Sequence, residues 1–316
     1  MKKETAKNDT SLIKTTAVWV CGAIVLFAAV IAVLVLKKGT VKTTLEPLTK
    51  YTVTQEQDEN TSEDETVNKY VVFTDENNES YTLFGEDYMA NLSEDRFIVV
   101  NNGKLSFFAE GEEKELARNV ISCSISNDGS LVAFVIPNSD EKQYIGTLYT
   151  YNTVTGSWED ICSDIFVSTT STIQISPSGD TVAYVRNYDE DALTYDCCYY
   201  NKGEETTIGQ NIDVWAISDD AEYIYYAKEN TEDYSSVFCV YTEKNGEVVL
   251  DEEAYNNFYL NLDYSECVYS LAKEEEPLYI SRKGSEGEVY LETAEDFDTT
   301  SLVDHVNKVI SADSFK

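Results

Sequence analysis

Histidine occurs once in this sequence, at His305, and 316 residues hold only four prolines and two methionines. A single imidazole excludes Ser-His-Asp and Cys-His nucleophilic sites unless they use His305. It also excludes a metal centre built on several histidines. His305 reads as an incidental residue at a strand start. Neither Gly-x-Ser-x-Gly nor Cys-x-x-Cys occurs, so the nucleophile elbow and the dithiol redox motif are missing too. Positive charge is equally scarce, with 23 Lys+Arg against 58 Asp+Glu for a net of −35. The deficit is uneven: residues 1–50 carry a net of +5 and residues 51–316 a net of −40. Such a surface repels nucleic acid and anionic lipid, which excludes nucleic-acid binding. It serves as a solubilising coat or, alternatively, attracts a cationic partner.

What the chain does have is a long hydrophobic run. Residues 17–36, AVWVCGAIVLFAAVIAVLVL, are 20 uncharged residues. At about 1.5 Å per residue such a helix crosses the roughly 30 Å bilayer core. A cleaved signal peptide would have a shorter apolar region and a small-x-small site after it; here Lys37 and Lys38 follow directly. Cys21 lies near the start of the run, the wrong place for a lipid-modified cysteine. The reading is an uncleaved anchor at 17–36, with residues 1–16 as a cytoplasmic tail. Lysines flank both ends, so the positive-inside rule gives near balance. The short tail before the span and the large domain after it favour a single-pass protein with the C-terminal domain outside the cytoplasm. Residues 37–69 include QEQDENTSEDET (55–66) and few large apolar side chains, which reads as an acidic, disordered, extended linker.

From residue 70 onward a pattern recurs. IQIS-PSGD-TVAYV (173–185) matches ISCSIS-NDGS-LVAFV (121–135) and DVWAIS-DDAE-YIYYA (213–227). Weaker copies are YLNLD-YSE-CVYSLA (259–272), one residue shorter at the turn, and MANLS-EDR-FIVV (89–100). Anchored on Ser93, Ser126, Ser176, Ser218 and Asp263, the spacings are 33, 50, 42 and 45 residues. Each copy is followed by an aromatic-rich strand and a Gly turn, such as Asn201-Lys-Gly203 or Lys244-Asn-Gly246, then a short last strand. Gly accepts positive φ at such hairpin turns. Each unit is therefore expected to be a four-stranded antiparallel meander, and radial repetition of meanders is the β-propeller architecture. Thr181-Val-Ala-Tyr-Val185 is apolar on both faces, as befits a strand sandwiched between neighbouring sheets.

The chain ends set the count. Tyr70–Thr74 and Ser80–Phe84 read as outer strands without an inner partner, and Leu302–Ser311 as an inner strand without outer ones. Joined, they complete one blade. The expected fold is all-β, a six-bladed β-propeller over residues 70–316, with five or seven blades as the adjacent counts, preceded by one N-terminal transmembrane helix.

The S-P-x-G turn followed by an apolar-aromatic strand, at Ser176–Gly179 and, with Asn127 in the proline position, at Ser126–Gly129, resembles the TolB-like six-bladed propeller group, and the noncatalytic propeller of prolyl oligopeptidases is similar. Ser218-Asp-Asp-Ala221 and Asp263-Tyr-Ser-Glu266 depart from the pattern, and the Trp-Asp signature of WD-repeat propellers is absent. The resemblance implies a fold and a habit of binding proteins or peptides at the ring's faces. It carries over no site residues, and no catalytic, cofactor-binding or metal-ligating residue is assigned.

Two oxygen-rich loops, Asp75–Glu79 and Asp189–Asp191 with Asp196, are the candidates for Ca²⁺, although neither has EF-hand spacing. Cys123, Cys162, Cys197, Cys198, Cys239 and Cys267 lie outside the anchor; buried thiols, a disulfide, or redox or metal use of the vicinal pair are the alternatives. The 23 tyrosines read mainly as interblade core, with hydroxyls reaching blade edges. The functional expectation is a noncatalytic binding scaffold or adaptor in the cell envelope, its partner a protein, peptide or glycan. The alternative is a propeller enzyme acting on envelope glycan or peptide through carboxylates in the central funnel.

Overall fold

A computed structural model describes residues 45–57, 69–139, 141–168, 173–229, 236–252, 258–271, 274–293 and 303–304. The chain divides into two units, 1–46 and 47–316. The expected anchor at 17–36 and His305 lie outside the described residues. Among the described residues no helix is long and apolar enough to cross a membrane.

The second unit is built of antiparallel meanders in chain order. The first is β1 (Tyr51–Gln57), β2 (Lys69–Asp75) and β3 (Ser80–Phe84). The second is β4 (Asp87–Ala90), β5 (Phe97–Asn101), β6 (Lys104–Ala109) and β7 (Glu112–Ala117). Next come β8 (Ser122–Ile125), β9 (Leu131–Pro137), β10 (Ile145–Asn152) and β11 (Trp158–Phe166). The fourth is β12 (Gln174–Ile175), β13 (Thr181–Asp189), β14 (Thr194–Asn201) and β15 (Glu204–Gln210). The third and fourth are joined into one hydrogen-bonded sheet by a single bridge, Ile165 to Arg186. The fifth is β16 (Ile212–Ile217), β17 (Ile224–Glu229), β18 (Ser236–Thr242) and β19 (Gly246–Asp251). The last is β20 (Phe258–Leu260), β21 (Glu266–Leu271), β22 (Glu274–Arg282) and β23 (Glu288–Leu291), with β24 (Val303–Asp304) on the free edge of β20.

Strands apolar on both faces are the cause of this stacking, because alternate side chains leave a strand on opposite sides. In β5, Phe97 and Val99 pack on the first meander, while Ile98 and Val100 pack on the third. In β9, Val132 and Phe134 face back to the second meander and Ala133 and Val135 forward to the fourth. In β13, Val182 and Tyr184 face the third, and Ala183 and Val185 the fifth. The fifth and last share Tyr225, Phe238, Phe258 and Tyr269. The core is thus a series of layers between successive sheets.

Two expectations at the chain ends are corrected. Residues 51–57 are not linker: β1 pairs along its whole length with β2, Tyr51 opposite Asp75 and Gln57 opposite Lys69. Its apolar content is low because only one end is covered, with Tyr51 against Phe73, Phe97 and Phe108. Residues 58–68 lie outside the described residues. At the other end the inner neighbour of β2 is β1 rather than a strand from the C-terminus, and Val303–Asp304 pairs with β20. The rest of the expected closing strand, 305–311, lies outside the described residues.

The recurring turn has one geometry in all five copies. Its first residue is Asn91, Ser126, Ser176, Ser218 or Asn261, so the anchors at Ser93 and Asp263 are displaced by two residues and the last copy is not shorter. The fourth residue's amide donates to the first residue's carbonyl at 2.9–3.2 Å. The first side chain accepts the amide five residues on at 2.9–3.0 Å, in Arg96, Leu131, Thr181, Tyr223 and Glu266. The fourth residue has positive φ whether or not it is glycine: Glu94 56°, Gly129 75°, Gly179 76°, Ala221 58° and Tyr264 64°. Left-handed backbone costs a side-chain-bearing residue about 1–2 kcal/mol. Replacing Ala221 with Gly is therefore expected to raise stability by about 0.5–1 kcal/mol, seen as a higher urea midpoint at unchanged slope. Gly179→Ala should move it down, since a Cβ there would lie 2.7 Å from the Leu131 Cβ.

Candidate functional site

The five turns meet at one end of the sheets. The Leu92 amide donates to the Asn127 carbonyl at 2.8 Å, and the Asp128 amide to the Pro177 carbonyl at 3.0 Å. The Ser178 amide donates to the Asp219 carboxylate at 2.7 Å, and the Thr181 hydroxyl to the Asp219 carbonyl at 2.6 Å. The Tyr225 hydroxyl donates to the Tyr264 carbonyl at 2.9 Å, tying the fifth meander to the last. One further bond skips the order: the Asn127 amide side chain donates to the Tyr264 hydroxyl at 3.3 Å. Sheets stack roughly 10 Å apart, so a straight row would separate the third and sixth by about 30 Å. The 3.3 Å contact requires the row to curl round until those two turns touch. At this end the Asn127 and Tyr264 side chains bridge the third and last meanders.

Two leucines stand on that floor. Leu92 and Leu262 occupy the same second position of their turns and are 46% and 65% exposed. Leu92 donates its amide to the Asn127 carbonyl, and Leu262 lies two residues before Tyr264 in the same turn. Tyr264 itself is buried, and burial holds its phenol well above the usual range. Around the leucines the exposed turn positions include Glu94, Asp220, Glu222 and Asp263. The hydroxyl and amide of Ser265 hold the Asp263 carboxyl below the usual range, so it is ionised at neutral pH. Arg96 on the same turns is held by Asp95 at 2.7 Å, both nearly inaccessible to solvent. The turn face thus exposes two leucines and four carboxylates.

The residues singled out from the sequence go elsewhere. Asp75 uses Oδ1 to accept the Asn77 and Glu79 amides of its own hairpin. Asp189 caps its loop through the Asp191 and Ala192 amides. Glu190 accepts from Lys142 and Tyr144, which holds its carboxyl down, and Asp196 accepts from Asn187 and Gln210 with the same effect. The loops do not pool these oxygens, and among the described residues no group of three or more such side chains is poised for a metal. Tyr225 and Tyr226 are core, and the Tyr184 and Tyr226 hydroxyls each reach a glutamate, Glu205 and Glu247, at 2.6 Å. All six described cysteines carry free thiols, and only Cys162 is other than buried. The leucine pair had no sequence signal, because its position depends on a contact between residues 127 and 264.

No protein-family model matches the chain. No curated protein matches it either. Solved structures do. It is similar to TolB from Acinetobacter baumannii, at 13% identity over 76% of this chain and 68% of that one, with a TM-score of 0.40. A putative TolB from Agrobacterium tumefaciens is similar at 16% identity over 66% and 83%, TM-score 0.43. The β-propeller domain of the Trilobed protease from Pyrococcus furiosus is similar at 14% identity over 80% and 74%, TM-score 0.41. The structural neighbours of this all-β chain are thus TolB and related β-propeller proteins.

Proposed function

We propose that this chain is a membrane-anchored, extracytoplasmic, six-bladed β-propeller that binds an envelope partner and performs no catalysis. Residues 17–36 are the anchor and residues 1–16 the cytoplasmic tail. The observation that carries the binding reading is the Asn127–Tyr264 bridge with the exposed Leu92 and Leu262 beside it. A glycan-cleaving enzyme of the usual kind needs two carboxylates held about 5–10 Å apart in an open cleft. What supports the binding reading is that at the turn end a hydrogen bond crosses between the third and last meanders with two exposed leucines on the recurring turns, apolar area open to a partner.

Two measurements test this. Protease added to intact cells should remove the domain while leaving a short membrane-protected N-terminal fragment; full protection would place the domain inside and overturn the address. The full chain in nanodiscs, incubated with envelope glycan and peptide substrates, should give no turnover above that of empty nanodiscs. Turnover abolished by a carboxylate-to-amide substitution would replace the binding reading with the enzymatic one.

A further inference from the structure

We infer that the turn face docks a basic, amphipathic segment of a partner protein, with apolar residues on Leu92 and Leu262 and Lys or Arg against Glu94, Asp220, Glu222 and Asp263. This rests on the binding reading above and names the chemistry of the partner.

A basic, amphipathic occupant follows from charge complementarity on a face that also exposes apolar side chains. Two leucines at equivalent turn positions are 46% and 65% exposed on a face whose floor is fixed by hydrogen bonds between turns. Exposed leucine on a rigid floor is contact area available without an ordering cost, which favours binding. Any partner must also approach through the field of the surrounding carboxylates. Arg96 on these turns is spent on Asp95. The exposed Lys50, next to the Tyr51 amide that bonds the Glu94 carbonyl, and Lys283, whose amide bonds the Ser265 carbonyl, lie near two of the turns. They are outnumbered by the four carboxylates in a region, residues 51–316, that carries a net of −40, so the field at the leucines is negative. An acidic or neutral apolar partner would lose its own hydration against carboxylates to which it brings no cation, whereas a basic one neutralises them and is steered in at low ionic strength. Nucleic acid and anionic lipid are repelled by the same field. The opposite end of the sheets differs: there Glu190 is already paired with Lys142, and the rings of Phe166 and Tyr188 stack on each other at 4.0 Å.

The test uses the full chain in nanodiscs of neutral lipid and a labelled dodecapeptide alternating Lys and Leu, with Glu-Leu and Lys-Ser dodecapeptides as comparators. The Lys-Leu peptide should bind at least about tenfold more tightly than either comparator, and more weakly as salt rises. Leu92→Ser with Leu262→Ser should weaken it about tenfold. Glu94→Gln with Glu222→Gln should weaken it and flatten the salt dependence, while Leu193→Ser with Glu190→Gln, at the other end, leaves it unchanged. Equal binding of Lys-Leu and Lys-Ser, or indifference to the leucine pair, would mean diffuse attraction to an acidic protein and overturn the inference. Binding of Glu-Leu in preference would overturn it too. In each case the binding reading stands unless the nanodisc preparation turns over substrate.

Discussion

Arg96→Met is expected to destabilise the folded domain by about 3–5 kcal/mol, the usual cost of removing one partner from a buried ion pair. Asp95 is 1% and Arg96 8% exposed, with Nη1 2.7 Å from Oδ1. The same carboxylate accepts the Asn91 side-chain amide at 2.8 Å and the Leu48 amide at 3.0 Å. Asn91 in turn accepts the amides of Asp95 and Arg96. The Arg96 stem lies across the next turn, close enough that a Cβ on Gly129 would sit 2.5 Å from its Cδ. Met keeps much of that stem, so the loss is chiefly the uncompensated Asp95 charge. In thermal unfolding the variant should melt about 10 °C lower. The double variant Arg96→Met, Asp95→Asn removes the charge while keeping an acceptor, and is expected to recover part of the loss. A double variant no better than Arg96→Met alone would show that packing, not charge, sets the cost.

This ion pair sits in a turn that was only half legible in the sequence, and the reason is chemical. At Ser126–Gly129 and Ser176–Gly179 the hydroxyl and the glycine announce the turn. At Asn91 and Asn261 an amide oxygen does the work of the hydroxyl, and Glu94 and Tyr264 take the left-handed position without a glycine. The backbone geometry survives because two side-chain oxygens are interchangeable as acceptors and the φ penalty is small beside the packing of a whole meander. The stacking of sheets was legible for a stronger reason: β9 and β13 are apolar on both faces, which a half-solvated sheet would not tolerate. β1 was missed because only Tyr51 is fully covered, leaving threonine, glutamine and glutamate to resemble the neighbouring tether. The turn-face leucines could not be read at all. An isolated Leu in a polar turn is ordinary, and what makes this pair a surface is the meeting of turns far apart in the chain.

Alkali is expected to unfold this protein between about pH 10 and 11 under reducing conditions, well before backbone chemistry intervenes. Cys123, Cys197 and Cys267 are 0–1% exposed with free thiols. Burial raises all three far above the ordinary thiol range; at Cys123 the Asp87 carboxylate adds to it, and at Cys197 the neighbouring Cys198 does. Burial also lifts Cys162 and Cys239 to about 11. A group whose folded pKa lies above its unfolded value gives stability that is complete below the unfolded value and is lost as pH rises toward the folded one. For thiols that loss begins near pH 8.5 and proceeds at about 1.4 kcal/mol per pH unit for each group that must stay protonated. Three such groups at pH 10.5 amount to roughly 8 kcal/mol, comparable with the 5–15 kcal/mol stability of a typical domain. Above pH 10 the buried phenols of Tyr225, Tyr264 and Tyr269, all raised by burial, add to the same trend. The identifying result is a crossing of stability curves. Cys267→Ala should be about 1 kcal/mol less stable than the parent at pH 7, through the small cavity it leaves. Above about pH 9.5 it should become the more stable of the two, because one obligatory proton has gone. Urea midpoints followed by tryptophan fluorescence across pH 7–11, with a phosphine reductant present, read both limbs. Parallel curves with no crossing would show that the Cys267 thiolate is solvated in the folded chain, and that the interior between the last two meanders is open to water.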